Sequence, residues 1–121
     1  MPKVSKDSAK HDDYGPVESW HEEVDGYAIE FVQFKQDIDS TPLLKGLPND
    51  QCHCPHWGYV LKGRLRISYS DRDEVLQAGD YYYMPAGHTG VAEEDTEFLE
   101  VAPLEEHQRF IENAQRILTG A

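Results

Sequence analysis

The stretch Cys52-His53-Cys54-Pro55-His56-Trp57-Gly58-Tyr59-Val60-Leu61-Lys62-Gly63 crowds four cysteine and histidine side chains into five positions and then runs through apolar residues to a glycine. The apolar run closed by Gly63 reads as a strand ending in a turn. Thiols and imidazoles gathered at the mouth of a strand suit a borderline metal such as zinc, with iron, nickel and copper as the other candidates. Side chains alternate along an extended chain, so Cys52, Cys54 and His56 share one face while His53 and Trp57 take the other. Pro55 interrupts the ladder locally. A second reading stands beside ligation: cysteine is also a small buried apolar residue.

Downstream of Gly63 the pattern stays β. Leu65, Ile67 and Tyr69 alternate with Arg64, Arg66 and Ser68, as a half-buried strand does. Short strands are expected over 74–76, 81–84, 89–92 and 97–102, separated by turns at Asp71-Arg72-Asp73, Ala78-Gly79-Asp80, Pro85-Ala86-Gly87 and Glu93-Glu94-Asp95. Upstream, Tyr27 to Gln36 is rich in aromatic and β-branched residues on both faces. Trp20 and Val24 anchor a strand before the Asp25-Gly26 turn. The loop 37–50 carries Leu43, Leu44 and Leu47 between prolines and glycine, which makes it either a plug over the core or a wall of a pocket.

From Pro103 the period changes to that of a helix, with Leu104, His107, Ile111, Ala114 and Leu118 along one side and Glu105 and Glu106 in the first turn. His107, His21 and His11 read as surface residues. The expected organisation is a flexible tail over 1–15, a β domain over 16–102 and a terminal helix over 103–121.

Composition narrows the function classes. Lys and Arg number 11 against 23 Asp and Glu, a formal net charge of −12. Such a chain lacks the clustered cations that phosphate backbones or anionic lipid surfaces require, so neither nucleic acid nor membrane is an expected partner. No stretch approaches the roughly 18 apolar residues of a membrane helix, and residues 1–15 hold no apolar leader core. The default expectation is a cytoplasmic protein with free thiols, because a disulfide between Cys52 and Cys54 would be strained.

Two patterns together resemble a known family. One is Tyr59-Val60-Leu61-Lys62-Gly63-Arg64-Leu65; the other is Gly79-Asp80-Tyr81-Tyr82-Tyr83-Met84-Pro85-Ala86-Gly87-His88, with 15 residues between Gly63 and Gly79. In this order and at this spacing they resemble the two signature motifs of the cupins. The resemblance covers about residues 27–102 and implies an all-β jelly-roll barrel, here with a C-terminal α-helix, and a homodimer joined by barrel edges or the helix. Counting back from Gly63 places His56 where the family carries a glutamate, Cys52 where it carries its second histidine and Asp50 where it carries its first. The family's last histidine position falls on Gly90, two residues after His88.

The resemblance and the strand parity together name Cys52, Cys54, His56 and His88 as metal-ligand candidates. The motif frame points Tyr82 and Met84 inward, and these join Trp57, Leu44 and Leu47 as candidates for binding a small molecule. Glu100, beside Phe98, reads either as a solvated edge charge or as a catalytic group. The expectation is a divalent-metal small-molecule protein, either an enzyme of isomerase, hydrolase or dioxygenase type or a non-catalytic sensing module.

Overall fold

A computed structural model describes residues 3–120. Two antiparallel sheets face one another in a jelly-roll barrel. The larger holds β1 (Lys10–Asp13), β2 (Val17–Val24), β3 (Tyr27–Phe34), β5 (His56–Lys62), β8 (Tyr81–Met84) and β10 (Thr96–Pro103), in the order β1-β2-β3-β10-β5-β8. The smaller holds β4 (Ile38–Asp39), β6 (Arg64–Ser68), β7 (Asp73–Gln77) and β9 (Thr89–Ala92), in the order β4-β9-β6-β7. One helix, α1 (Leu104–Thr119), follows β10 directly. Among the described residues no helix is long and apolar enough to cross a membrane.

Alternation decides what each strand buries. In β10, Thr96, Phe98, Glu100 and Ala102 are buried while the residues between them are half-buried. In β3, Ala28, Glu30 and Val32 are the buried set. Val32, Val60, Leu65, Ile67, Met84 and Phe98 form the main core between the sheets. A second cluster, of Leu44, Cys52, Cys54 and Ala102 with Leu47 and Phe110 against it, sits under the short helical turns Thr41–Leu44 and Pro48–Asp50. The 37–50 loop is thus folded over one end of the barrel.

Gly63 joins β5 to β6 at φ 82°, and a Cβ there would lie 2.6 Å from Thr96 Cα. That position therefore needs both the left-handed backbone and the missing side chain. Helix α1 is fastened across the loop end by Asn113, whose side-chain amide donates to the carbonyls of Leu43 (2.9 Å) and Lys45 (3.1 Å).

Two sequence expectations are revised. Residues 10–13, placed in the tail, form β1 and pair with β2 from Lys10↔His21 to Asp13↔Glu18; main-chain bonds hold such a polar segment along a sheet edge without a core. Met1, Pro2 and Ala121 lie outside the described residues. His107, read as a surface residue, is buried. It lies on the same helical side as Ile111 and Ala114, and it is held there by Glu30 of β3.

Candidate metal centre and its cavity

The site forms where the 51–55 segment meets the turn after β8. Cys52 is pinned opposite His88 by backbone bonds: its amide donates to the His88 carbonyl (2.8 Å), and the amides of Gly87 (2.8 Å) and His88 (3.1 Å) donate to its own carbonyl. His56 opens β5 and stands across from Met84. These placements bring one ligand atom each from Cys52, His56 and His88 to within 4.8 Å of one another, all three residues being buried. Cys52 Sγ is 3.7 Å from His56 Nε2. Sulfur and nitrogen ligands on one tetrahedral zinc are about 3.5 Å apart, given its ordinary bond lengths, so the donor set fits such an ion with little movement.

The histidine tautomers suit ligation as well. His88 Nδ1 is 2.7 Å from the carbonyl of Pro85. A carbonyl only accepts, so Nδ1 carries the proton and Nε2 keeps its lone pair. His56 turns Nε2 toward Cys52 and Nδ1 toward Glu100, whose Oε2 is 3.5 Å away. Nδ1 is buried without a hydrogen-bond partner. Burial pushes the His56 imidazole down to about 4, with the Glu30 charge opposing and the His107 charge adding to the fall. Burial, against the bond to Pro85, also pushes His88 down to about 4. Both rings are therefore neutral at pH 7, the form that binds metal. Burial raises the Cys52 thiol to about 11 and raises Cys54 still further, so ligation by Cys52 must displace a proton.

A row of polar side chains runs inward from the site. Glu30, Glu100, Gly58 and Tyr82 stand opposite one another on β3, β10, β5 and β8. Tyr82 Oη donates to Glu100 Oε1 at 2.6 Å. It can do so because Gly58 leaves the space between them open: a Cβ there would lie 2.5 Å from Tyr82 Oη. On the other side Glu30 Oε1 is 3.1 Å from His107 Nε2 of α1. Burial, and next the Glu30 charge, push Glu100 up to about 8 against the Tyr82 bond and the His107 charge. Burial pulls His107 down, but the Glu30 bond and the charges of Glu30 and Glu100 outweigh it and raise the imidazole above its ordinary value.

This cluster forms one end of a cavity of about 350 Å³. Cys52, His56, His88, Glu100, Glu30 and His107 supply its polar end; Leu65, Ile67, Met84 and Phe98 are among its apolar walls, and Phe110 and Ala114 of α1 also line it.

The structure brings together three of the four ligands expected from the sequence. Cys54 lies outside the group, with its Sγ 3.6 Å from the Pro55 carbonyl and its side chain packed with Leu44 and Ala102. The face-sharing expected of residues 52, 54 and 56 presumed an extended strand, whereas β5 starts only at His56, after Pro55. His53 is exposed and bonded to the Pro48 carbonyl. Met84 and Leu44 are among the residues that line the cavity. Leu47 packs against the second core cluster and Tyr82 against Glu100; neither is among the lining residues. Trp57 points to the outer face, 41% exposed, and packs on Tyr83 with ring centroids 5.1 Å apart. Glu100 is no edge charge: it is 7% exposed. Its depth, and that of Glu30, follows from parity with Phe98 and Ala102 and with Ala28 and Val32.

Residues 51–101 match the family model described as the cupin domain. The matched segment is 51 of the 121 residues and covers both sequence motifs. Solved structures of the cupin fold agree with the jelly roll seen here. The polyketide cyclase RemF from Streptomyces resistomycificus is 17% identical, covers 86% of this chain and 80% of its own, and superposes with a TM-score of 0.59. An RmlC-like cupin from Shewanella frigidimarina is 14% identical over 83% of this chain and 88% of its own, at a TM-score of 0.59. A sugar phosphate isomerase from a cupin superfamily, from Silicibacter pomeroyi, is 16% identical over 84% of this chain and 75% of its own, at a TM-score of 0.58. No curated protein matches the sequence. At these identities the likeness establishes the jelly roll, and the site must be argued from its own side chains.

Proposed function

We propose that this protein binds a divalent metal, zinc by the chemistry of its donors, on Cys52, His56 and His88, and acts on a small molecule held in the adjoining cavity. The observation that carries this reading is the convergence of three buried donors on the lining of a mostly apolar cavity. Three protein ligands are the set that leaves a coordination position open, as catalytic zinc sites do. The bound ion would supply Lewis acidity. The protein's own side chains do the rest. His88 is held in the required tautomer by Pro85, and His56 is faced by Glu100. The apolar walls surround the bound molecule, and Tyr82 with Glu100 holds a proton within the barrel.

The structural neighbours include a polyketide cyclase and a sugar phosphate isomerase, which is compatible with a catalytic role. The departure of Cys52 and His56 from the family's usual ligand types favours a second reading, a non-catalytic ligand- or metal-sensing module.

Zinc content after loading and desalting tests the metal. One zinc per chain is expected, falling to background in His56→Ala and His88→Ala variants that keep the wild-type circular dichroism. Full retention in both variants sinks the proposal. Cobalt substitution then separates the two readings: a visible spectrum that changes on adding azide shows an open position, whereas an unchanged four-coordinate spectrum favours the sensing module.

A further inference from the structure

The cavity walls say what kind of molecule fits, which deepens the proposed function and rests on its placement of the ligand in the barrel. No lysine or arginine lines the cavity. Its polar end instead carries Glu30 and Glu100, which stand directly opposite each other on β3 and β10. A phosphate or carboxylate brought to that end finds two acidic side chains. The one protein group there raised toward its cationic form, His107, is already engaged by Glu30 at 3.1 Å.

A cationic head fares no better. Glu30 Oε1 is taken by His107, Glu100 Oε1 by Tyr82, and Glu100 Oε2 faces His56, which leaves Glu30 Oε2 alone to meet a cation, on a carboxylate whose charge His107 already shares. An ammonium group would lose its water against Ile67, Met84 and Phe98 without a free carboxylate oxygen of Glu100 to replace it. A neutral hydroxyl or carbonyl group is desolvated at far smaller cost and can accept or share a hydrogen bond with the polar end. The volume of about 350 Å³ lies at the small end of ligand pockets, which run from roughly 300 to 1,000 Å³.

We propose that the cavity takes an uncharged amphipathic molecule, a ring-sized apolar body with one hydroxyl or carbonyl head, with the body between Ile67, Met84, Phe98 and Phe110 and the head toward His56 and Glu100. Neither sugar phosphates nor carboxylic acids belong to this class.

Three probes of one shape and different charge test it: 2-naphthol, 2-naphthoate and 2-naphthylmethylamine, titrated by calorimetry at pH 7 into the full chain, both chelator-treated and zinc-loaded. The expected result is that naphthol binds at least tenfold more tightly than either charged probe in the metal-free protein, with NMR contacts from its ring to the methyl groups of Met84 and Ile67. Equal or tighter binding of naphthoate or the amine overturns the inference. So does the absence of binding by any probe, or ring contacts only to Trp57 and Tyr81 on the outer sheet face. Zinc content measured on the same samples keeps the two readings apart. Naphthol preference in a protein that takes up no zinc supports this inference while the metal proposal fails; zinc uptake with no naphthol binding does the reverse.

Discussion

Glu100 Oε2 lies 3.5 Å from His56 Nδ1, on the side of the imidazole away from Cys52 Sγ, which is 3.7 Å from Nε2. One ring thus presents a lone pair to the metal group and its other nitrogen to a carboxylate. Burial pushes the Glu100 carboxyl up to about 8; once ionised, a carboxylate behind a ligating histidine fixes the tautomer and raises the basicity of the ligand. The pairing also explains how a buried nitrogen with no hydrogen-bond partner is tolerated: closing a gap of a few tenths of an ångström on ligation would satisfy it.

Glu100→Gln should therefore weaken zinc binding without abolishing it. Loss of a carboxylate in this position lowers metal affinity by roughly 10–100-fold, and competition against a chromophoric chelator measures it. The amide still accepts from Tyr82 Oη, so thermal stability of the metal-free protein should hold. Unchanged zinc affinity in Glu100→Gln would show that Glu100 does not support His56.

Gly58 separates Tyr82 from β10, and a methyl group there would press on Tyr82 Oη at 2.5 Å. Gly58→Ala should lose about 1–3 kcal/mol of unfolding free energy, the usual range for overpacking a filled core, read from urea midpoints at unchanged slope. Tyr82→Phe, which keeps the ring but drops the hydroxyl that Glu100 accepts, should give back only part of that loss when combined with it, because the Leu99 carbonyl oxygen, nearer still, and the Tyr82 ring carbon also stand in the way. A Gly58→Ala protein as stable as wild type would mean that the Tyr82–Glu100 bond does not depend on that opening.

The pair His107–Glu30 predicts a pH-dependent term in stability. The titratable groups facing the His107 imidazole are Glu30 from β3, Glu100 from β10 and His56 from β5. Its folded value is raised above the unfolded one of about 6.5. The folded state holds the proton more tightly, so the stabilisation is fully present below pH 6.5 and is lost as pH rises through the folded value. The difference in unfolding free energy between wild type and His107→Gln should be largest in mildly acidic buffer and shrink toward alkaline pH. His56 and His88 titrate near 4, below the pH range compared. A difference that is flat or grows with pH rules out a charged His107.

The barrel was legible because its two turns are chemically specified. Gly63 needs a positive φ and no Cβ, and the apolar alternation in 64–68 and 96–103 can face only one way once a core lies on one side. The site was legible where a residue belongs to a regular strand, as His56 does, or is fixed by a turn adjoining one, as His88 is. Cys54 was not, because periodicity says nothing about a segment that a proline holds out of the ladder. Glu30 and Glu100 stand at inward positions of their strands, yet an acidic residue in an acidic chain reads as surface until its partners are known. Those partners, Tyr82 and His107, lie 18 residues from Glu100 and 77 from Glu30 in the chain, and pairing at that separation is a product of topology.

The two cysteines, nearly adjacent in sequence, should behave in opposite ways. Cys52 is tied by its backbone to His88 and points its sulfur at His56, whereas Cys54 packs with Leu44 and Ala102 outside the donor group. Cys52→Ser should cut zinc content to a small fraction of wild type and leave the fold intact, since a hydroxyl is a poor zinc ligand of nearly the same size. Cys54→Ala should keep one zinc per chain and cost about 1 kcal/mol of stability, the order expected for removing one small buried group. Thiol titration gives a third reading: zinc loading should protect Cys52 from alkylation in the Cys54→Ala protein, while Cys54 in the Cys52→Ser protein should react at the same slow rate with or without zinc. If Cys54→Ala loses the metal and Cys52→Ser retains it, the donor set is wrong and the segment 52–55 must turn the other sulfur to the histidines.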